Sequence, residues 1–237
     1  MNRHLIAAAA LALSCAAASA PALAETRPVV VELFTSQGCS SCPPADAVLA
    51  ELAPHKDVLA LGFHVDYWDR LGWKDPLSTP GATNRQNEYA TQFGRREIFT
   101  PQIVIDGQRQ AVGSNRGAVL QAIAESKLAL ADSTSIAPVT FAADGRSVSI
   151  GAGTGRGKIL VIRYVRSRTT QVQRGENAGK TAVDVNGVDA FRAAGEWTGQ
   201  TLDLPVDPVD SDHGLAVLVQ GDNGRILGAA SLSAAQS

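Results

Sequence analysis

Hydrophobic residues fall into two kinds of block along the first half of the chain, and these predict strands and helices in turn. Residues 28–35 and 58–65 are almost continuously apolar and rich in β-branched side chains, which is typical of strands buried on both faces. Residues 45–53 instead carry apolar side chains at helical intervals, and Pro54 predicts the end of that helix. The chain therefore opens with a strand, a helix and a second buried strand.

The alternation continues with another helix and a hairpin. Residues 79–93 predict a helix that Thr79 caps, because a threonine hydroxyl accepts a hydrogen bond from an otherwise unpaired N–H of the first turn. Asp106-Gly107 is typical of a two-residue hairpin, and it separates predicted strands at 102–105 and 108–112. The hairpin adds an antiparallel edge to strands whose helical crossovers require parallel pairing.

A last helix completes the first half. Apolar residues recur at helical intervals to about Leu128, and Ser114 is the predicted cap. The predicted order is strand, helix, strand, helix, strand, strand, helix. Residues 25–131 are therefore expected to form one domain, with a mixed sheet flanked by helices.

The pattern changes after about residue 131, where helical spacing fades and short apolar or alternating runs take over. These runs predict strands, at residues 136–141, 148–150, 159–165, 201–204, 215–219 and 226–232. Turn-forming residues separate them, at Asp144-Gly145, Asn186-Gly187 and Asp222-Asn223-Gly224. Residues 132–237 are therefore expected to form a mostly antiparallel β domain, and the chain as a whole belongs to the α/β class.

The first residues have the pattern of an export signal. A positive charge at Arg3 precedes an apolar run over residues 5–18, and residues 22–24 supply the small residues that a signal peptidase reads. The run is too short and too rich in alanine for a membrane span. We expect cleavage near Ala24, no membrane span in the mature chain, and a periplasmic or secreted location. Lipid attachment at Cys15 is the alternative, which the residues before it fit poorly.

Charge and composition exclude other classes of function. The chain is 45% hydrophobic and 19% charged, which is typical of a globular protein, and its formal net charge is −2. Loss of residues 1–24 removes Arg3 and leaves 20 Lys and Arg against 23 Asp and Glu, a net charge of −3. With neither a basic stripe nor an acidic tail, the chain is not expected to bind nucleic acid.

Cys39 and Cys42 are the two cysteines of the predicted mature chain, and they lie where the first strand gives way to the first helix. Backbone N–H groups and the helix dipole at such a junction favour a thiolate. A ring this small adds little to the stability of a fold. The spacing therefore predicts a thiol–disulfide oxidoreductase, with an exposed Cys39 as the attacking thiolate and Cys42 as the resolving thiol. The expected partner is a protein or small molecule that carries a thiol or disulfide.

Two other functions stay open. Cu(I) prefers thiolate ligands, so Cys39, Cys42 and His64 would suit a copper-binding protein or metallochaperone. The absence of methionine from the mature chain disfavours this function, and a histidine on a buried strand is typical of a core residue. The third function is a binding module with a permanent disulfide. The redox function needs no cofactor, and copper belongs to the alternative alone.

Thr100, Pro101, Tyr67 and Trp68 are the candidate substrate-binding residues. A proline that opens a strand cannot donate a ladder hydrogen bond, so it leaves one side of the chain available to an extended substrate. An ordinary strand-edge proline is the alternative, and the sequence does not fix whether the bond is cis. Tyr67, Trp68 and nearby Trp73 predict either an apolar rim around the cysteines or a plug in the core.

Several segments resemble a bacterial family of exported thioredoxin-like proteins, known only as domain of unknown function number 1223, within the thioredoxin superfamily. The resemblance covers most of the mature chain, in the segments 32–46, 65–69, 72–76, 85–86, 100–102 and 174–179. It implies a thioredoxin-like fold for residues 25–131 and a redox role for Cys39 and Cys42. It supplies no substrate, and Ser40-Ser41 between the cysteines leaves the direction of electron flow open.

The chain departs from ordinary thioredoxins at Pro43 and Pro44, which directly follow the second cysteine. The residue before a proline avoids helical geometry, so the helix is expected to start near Pro43 and to leave Cys39 farther from the dipole. Glu32 stands close to where thioredoxins bury an acid. It is a candidate for proton transfer to Cys42, but pairing with an arginine inside the sheet is the favoured interpretation.

Overall fold

The structure, a computed structural model, describes residues 27–131, 133 and 136–233. The predicted export signal, its cleavage point near Ala24 and Cys15 lie outside the described residues. The described residues form eleven strands, three α-helices and one 3₁₀ helix. None of these helices is both long enough and apolar enough to cross a membrane.

The elements of the first half follow the predicted order, with the 3₁₀ helix as an addition. They are β1 Val29–Thr35, α1 Pro43–Leu52, β2 Val58–His64, the 3₁₀ helix Asp66–Leu71, α2 Pro80–Gln92, β3 Gln102–Ile105, β4 Arg109–Val112 and α3 Arg116–Ala131. The second half is all strand, in β5 Val139–Phe141, β6 Ser147–Ile150, β7 Gly157–Gln171, β8 Thr181–Trp197, β9 Leu202–Pro205, β10 His213–Gln220 and β11 Ile226–Ser233. Helix α1 starts at Pro43, as its two prolines predict.

Eight strands form one mixed sheet in the order β11-β10-β7-β8-β2-β1-β3-β4, and β5, β6 and β9 form a second, antiparallel sheet. β1 and β2 pair in parallel, whereas β7, β8, β10 and β11 pair antiparallel with one another. The two groups meet where β2 and β8 pair in parallel at Gly62 and Gly187. The α/β class and the antiparallel second half are confirmed. Because one sheet takes strands from both halves, the predicted domain division after residue 131 stays a prediction.

The sheet separates two apolar layers because successive side chains of a strand point to opposite faces. On one face Val31 packs with Leu49 of α1 and with α3, and on the other Phe34 packs with Tyr89 of α2 and with β7 and β10. A third layer, centred on the buried Trp197, lies between the two sheets. The cysteine-containing turn after β1 is thus held by a strand that is covered on both faces.

Helix caps test the local predictions. Thr79 caps α2 as predicted, since its hydroxyl oxygen accepts a hydrogen bond from the N–H of Ala82 at 3.1 Å. The prediction that Ser114 caps α3 is wrong by one residue. The side-chain oxygen of Asn115 accepts from the N–H of Ala118 at 3.1 Å, because asparagine also satisfies first-turn N–H groups.

The prediction of a turn at Asn186-Gly187 is also wrong, because both residues lie inside the long strand β8. Asn186 has a φ of 49°, which suits a turn, but here it lies inside the strand next to the point where β8 meets β2. Its side-chain amide donates to the carbonyl of Ala60 at 2.9 Å. A Cβ on residue 187 would lie 2.7 Å from a methyl group of Leu77, so glycine allows the close approach.

Glu32 is fully buried in β1 and forms an ion pair with Arg85 of α2. Arg85 donates from Nε and Nη2 to the two carboxylate oxygens, and the hydroxyl of Tyr89 donates to the same carboxylate. The structure therefore shows the arginine pairing that the sequence favoured. The contacts of Glu32 give no support to a role in proton transfer with Cys42.

We expect Arg85→Ala to lower the free energy of unfolding by about 3–5 kcal/mol, since it leaves the carboxylate of Glu32 buried without a counter-charge. Urea titration followed by circular dichroism measures the change. Arg116→Ala is the matched control, because it removes an arginine whose pair with Glu51 is exposed and should leave the unfolding midpoint almost unchanged. Equal effects of the two substitutions would contradict the assignment.

Candidate functional site

Cys39 and Cys42 form a disulfide in the turn between β1 and α1, with their Sγ atoms 2.27 Å and their Cα atoms 5.4 Å apart. Cys42 is the N-cap residue of α1. Pro43 and Pro44 follow directly and have no N–H to donate, so the first turn exposes fewer donors than usual. The pair still lies at the positive end of the helix dipole, since Cys42 caps a helix of ten residues.

The sulfur of Cys39 accepts two hydroxyl hydrogen bonds. Thr100 Oγ1 donates to Cys39 Sγ at 3.3 Å, and Ser41 Oγ lies at the same distance and acts as the donor, since a disulfide sulfur carries no hydrogen. Trp68 Nε1 donates in turn to Thr100 Oγ1 at 2.8 Å and orients that hydroxyl. Donors of this kind favour the negative charge that Cys39 would acquire on reduction.

Thr100 and Pro101 lie opposite the cysteines, where the sequence placed them. Their peptide bond is cis. Pro101 is buried and its carbonyl accepts from the N–H of Gly113 at 2.9 Å, while Thr100 is half-buried. The hydroxyl of Thr100 is thus the group of this segment that contacts the disulfide, and pairing of its backbone with a substrate stays a prediction.

The expectation that Cys39 is exposed is wrong for this disulfide form, because both cysteines are 0% exposed. Ser40 and Ser41 between them are exposed. The backbone of Cys39 also contacts a part of the second half that hydrophobic patterns did not connect with it. Asn177, from the loop between β7 and β8, donates from Nδ2 to the carbonyl oxygen of Cys39 at 2.8 Å.

The three aromatic residues of the loop after β2 are half-buried and lie beside the cysteines. Trp68 contacts Thr100 as described above, and Tyr67 donates from its hydroxyl to Gln86 Oε1 at 3.3 Å. Trp73 Nε1 donates to Gln37 Oε1 at 3.1 Å. Tyr67 and Trp68 also pack against the main core, so they combine core packing with a position at the site.

His64 is buried under the turn and lies between two carboxylates from different halves of the chain. Its Nδ1 is 2.7 Å from Asp75 Oδ2, and its Nε2 is 3.7 Å from Asp184 Oδ1. Both nitrogens therefore face acids, and the described residues contain no cluster of three or more His, Cys, Asp or Glu that would hold a metal ion. Copper binding by Cys39, Cys42 and His64, the alternative expected from the sequence, stays a prediction.

The buried charges shift one another's pKa values. Burial alone would lower the pKa of His64, but the charge and hydrogen bond of Asp75 and the charges of Asp184 and Asp46 raise it to about 9. Burial raises the pKa of Asp184. The pKa of Asp75 is lowered despite its burial, because His64 and backbone N–H groups stabilise its charge. His64 is therefore an imidazolium at neutral pH, held by Asp75.

Asp46 is the titratable acid nearest to the cysteines along the chain. It lies one helical turn after Cys42 in α1, and Thr35 Oγ1 donates to its carboxylate at 2.7 Å. Burial raises the pKa of Asp46 to about 7. Glu32 was the acid predicted near the cysteines, whereas Asp46 lies four residues after Cys42, and residues four apart share a helix face.

Gln37, Asp75, Asp184 and Asn177 belong to the surroundings of the disulfide but were not among the predicted site residues. Each of them is buried and polar. A buried polar side chain usually forms a hydrogen bond with a partner. For Gln37, Asp184 and Asn177 that partner lies 140 or 147 positions away along the chain. The resemblance in segment 174–179 was the one signal that pointed to Asn177.

The model of the family described as "Protein of unknown function (DUF1223)" matches residues 30–220, so the chain belongs to this family. The chain is similar to the crystal structure of protein AGR_C_4864 from Agrobacterium tumefaciens. The identity is 30%, the TM-score is 0.74, and the match covers 90% of this chain and 97% of that one.

A weaker likeness links the chain to HBP35 of Porphyromonas gingivalis, with 14% identity, a TM-score of 0.50, and coverage of 90% of this chain and 76% of that one. At that identity the likeness concerns the fold alone. No curated protein matches the chain. The family membership expected from the sequence is confirmed, and the wider kinship with the thioredoxin superfamily stays a prediction.

We expect the free energy of unfolding to fall as pH rises from about 6.5 to about 9, by a few kcal/mol. The folded state holds a proton on His64 that the unfolded chain releases near pH 6.5, so this stabilisation is complete below that pH and is lost as the folded pKa is passed. Asp75→Asn should lower the pKa of His64 and flatten the decline. NMR titration of the imidazole and urea unfolding measure both effects, with the exposed Asp57→Asn as control. Titration of His64 near pH 6.5 in the wild-type protein would contradict the assignment.

Proposed function

We propose that this DUF1223 protein is an exported thiol–disulfide oxidoreductase that uses Cys39 and Cys42. The observation that carries the proposal is the disulfide at the N-terminus of α1, whose leading sulfur accepts hydrogen bonds from Thr100 and Ser41. A structural crosslink does not need donors directed at one of its sulfurs. A sulfur that becomes a thiolate does, because each donor stabilises the charge.

The exchange is a two-electron transfer with two bond changes. The Cys39 thiolate attacks one sulfur of a substrate disulfide, forms a mixed disulfide and releases the other substrate sulfur as a thiolate. Cys42 then loses its proton and attacks Cys39 Sγ, which closes the protein disulfide and releases the second substrate thiolate. The protein dithiol loses two electrons, the substrate disulfide gains them, and the two protons pass to the substrate thiolates. The reverse sequence oxidises a substrate dithiol.

A permanent disulfide in a binding module is the second candidate, and the complete burial of both cysteines favours it. The two functions differ in reduction potential. A redox-active pair has a potential comparable to those of its compartment, whereas a structural disulfide has one below about −300 mV. Equilibration with glutathione buffers, followed by alkylation and mass measurement, separates the two.

We expect Cys42→Ser to accumulate mixed disulfides through Cys39, since the resolving thiol is missing. The trapped species are separated on non-reducing gels and identified after release with dithiothreitol. Wild-type protein should catalyse the reduction of insulin by dithiothreitol, and Cys39→Ser should not. Cys39→Ser is also the matched control for trapping, because it keeps one thiol but lacks the proposed nucleophile. No trapped partner together with no insulin turnover would contradict the proposal.

Thr100→Val should lower the reduction potential of the pair by about 30–60 mV, because a hydrogen bond to a charged group stabilises the reduced thiolate by about 1.5–3 kcal/mol. Thr100→Ser keeps a hydroxyl and should restore most of the wild-type potential. Thr91→Val, on the exposed side of α2, is the control for the loss of a threonine hydroxyl elsewhere. An unchanged potential in Thr100→Val would show that the hydroxyl does not act on Cys39.

A further inference from the structure

The loop that contacts the backbone of the C-x-x-C turn is a compact unit at the end of a hairpin. Residues 172–180 connect β7 to β8, and we call them the cap. Backbone hydrogen bonds close the cap on itself, with the N–H of Val172 on the carbonyl of Lys180 at 2.9 Å and the N–H of Gly179 on the carbonyl of Val172 at 2.8 Å. A loop closed at its base holds its shape without support from the surface that it covers.

The cap contacts the C-x-x-C turn through two side chains. Asn177 Nδ2 donates to the carbonyl oxygens of Gln37 at 2.9 Å and Cys39 at 2.8 Å. Glu176 Oε2 accepts from the backbone N–H of Ser40 at 2.9 Å. The hydrogen bonds with Ser40 lower the pKa of Glu176, so its carboxylate is charged at neutral pH. The cap therefore satisfies both donors and acceptors of the turn that holds the nucleophile.

The strands that carry the cap leave the sheet before they reach it. β10 pairs with β7 only as far as Val165, and β2 pairs with β8 only at Gly187. Beyond these points β7 and β8 pair only with each other, over Ser167–Gln171 and Thr181–Val185. The cap thus sits at the end of a two-stranded arm.

The base of the arm is anchored by Asp184, which is buried and accepts from the side-chain amide of Gln37, whereas its cap end borders an open space. A cavity of about 320 Å³ lies between the arm and α1, and its lining includes Asp46 and Ala47 on one side and Lys180, Ala182 and Val183 on the other. Close packing normally resists movement of one element against another. The cap end of the arm borders this cavity, so it moves at a lower cost than the buried segment at Asp184, and Val183 is 55% exposed.

We propose that residues 172–180 form a cap that controls access to the Cys39–Cys42 disulfide, closed by the contacts of Asn177 and Glu176 and opened when these contacts break, while Asp184 stays in place at the base of the arm. Closure shields the sulfur of Cys39 from outside thiols. Closure also places the Glu176 carboxylate on the N–H of Ser40, the residue that follows Cys39, and it would repel a thiolate formed on Cys39. The regulatory meaning of the cap rests on the proposed function, whereas its effect on access can be tested without it.

Dithiothreitol is the probe, and the substrate is the oxidised chain without its predicted export signal. One dithiothreitol thiolate attacks the protein disulfide, its second thiol closes the reagent's own ring, and the protein gains two electrons and two protons as Cys39 and Cys42 thiols. Alkylation at timed intervals followed by mass measurement gives the rate constant. An oxidised Cys-Ser-Ser-Cys peptide gives the rate for the same ring without a cap.

We expect the disulfide of the wild-type protein to be reduced at least about tenfold more slowly than that of the peptide. Asn177→Ala should be reduced about tenfold faster than wild type, since it removes two buried hydrogen bonds. Glu176→Gln should react about two- to fivefold faster than wild type, because it removes a charge from an exposed pair of low energy. Glu196→Gln is the matched control, since it makes the same change near the far end of β8 in an exposed carboxylate. It should leave the rate unchanged.

A wild-type rate equal to that of the peptide would overturn the cap, and so would equal rates for wild type, Asn177→Ala and Glu176→Gln. Should Asn177→Ala lose its fold by circular dichroism, Glu176→Gln decides alone, because Glu176 is exposed and its substitution preserves shape. The outcome is separate from the oxidoreductase proposal. Faster reduction of the cap variants without insulin turnover would support the cap and contradict the oxidoreductase proposal. Insulin turnover with equal reduction rates for wild type and the cap variants would contradict the cap and support the oxidoreductase.

Discussion

The site depends on how Gln37, two residues before the nucleophile, satisfies its hydrogen bonds in a buried turn. Its N–H donates to Asp75 and its side-chain amide donates to Asp184, while its side-chain oxygen accepts from Trp73 and its carbonyl from Asn177. Buried polar groups that lack partners cost roughly 1–3 kcal/mol each, so the turn needs all four contacts to stay folded in this form. Two of the four come from the second half of the chain. The cysteine environment is therefore a joint product of both halves.

This constraint explains why the second half joins the sheet of the first. β8 reaches the turn because it pairs with β2 at Gly187, and it also packs against α1. From there the same strand supplies Asp184 to His64 and leads to the cap. A separate β domain connected by a flexible linker would not hold a carboxylate against a buried imidazole, because that pairing needs a fixed geometry to offset the cost of desolvation.

Local pattern predicted the parts of the fold that local physics determines. Continuous apolar runs predicted β1 and β2, the threonine before Pro80 predicted the start of α2, and Asp106-Gly107 predicted the β3–β4 hairpin, where both residues have positive φ. The cysteine pair at the strand-to-helix junction was also evident from the sequence. In each of these cases the residues that interact are neighbours in the chain.

The contacts that surround the disulfide were not predictable in the same way. Asp184 and Asn177 lie 147 and 138 positions from the residues that they contact in the turn. Strand β8 was not predicted because hydrophobic and polar residues alternate only weakly along it and because Asn186-Gly187 resembles a turn. The dipeptide lies inside a strand because Gly187 pairs with β2. Thr100, which donates to the sulfur of Cys39, also lies 61 positions from it along the chain. An exposed nucleophile was therefore the reasonable expectation from sequence and the wrong one.

The charge of the pair connects its redox state to the cap. A disulfide is neutral, so the Glu176 carboxylate approaches the turn at little electrostatic cost, and the Ser40 N–H is available to it. Reduction that leaves a thiolate on Cys39 introduces a second negative charge near that carboxylate. Linkage between the two states is reciprocal. If the cap binds the oxidised turn better than the reduced turn, reduction weakens cap binding, and cap binding favours the disulfide by the same free energy. A single carboxylate thus couples access to the disulfide with its reduction potential, and no change in the packed core is needed.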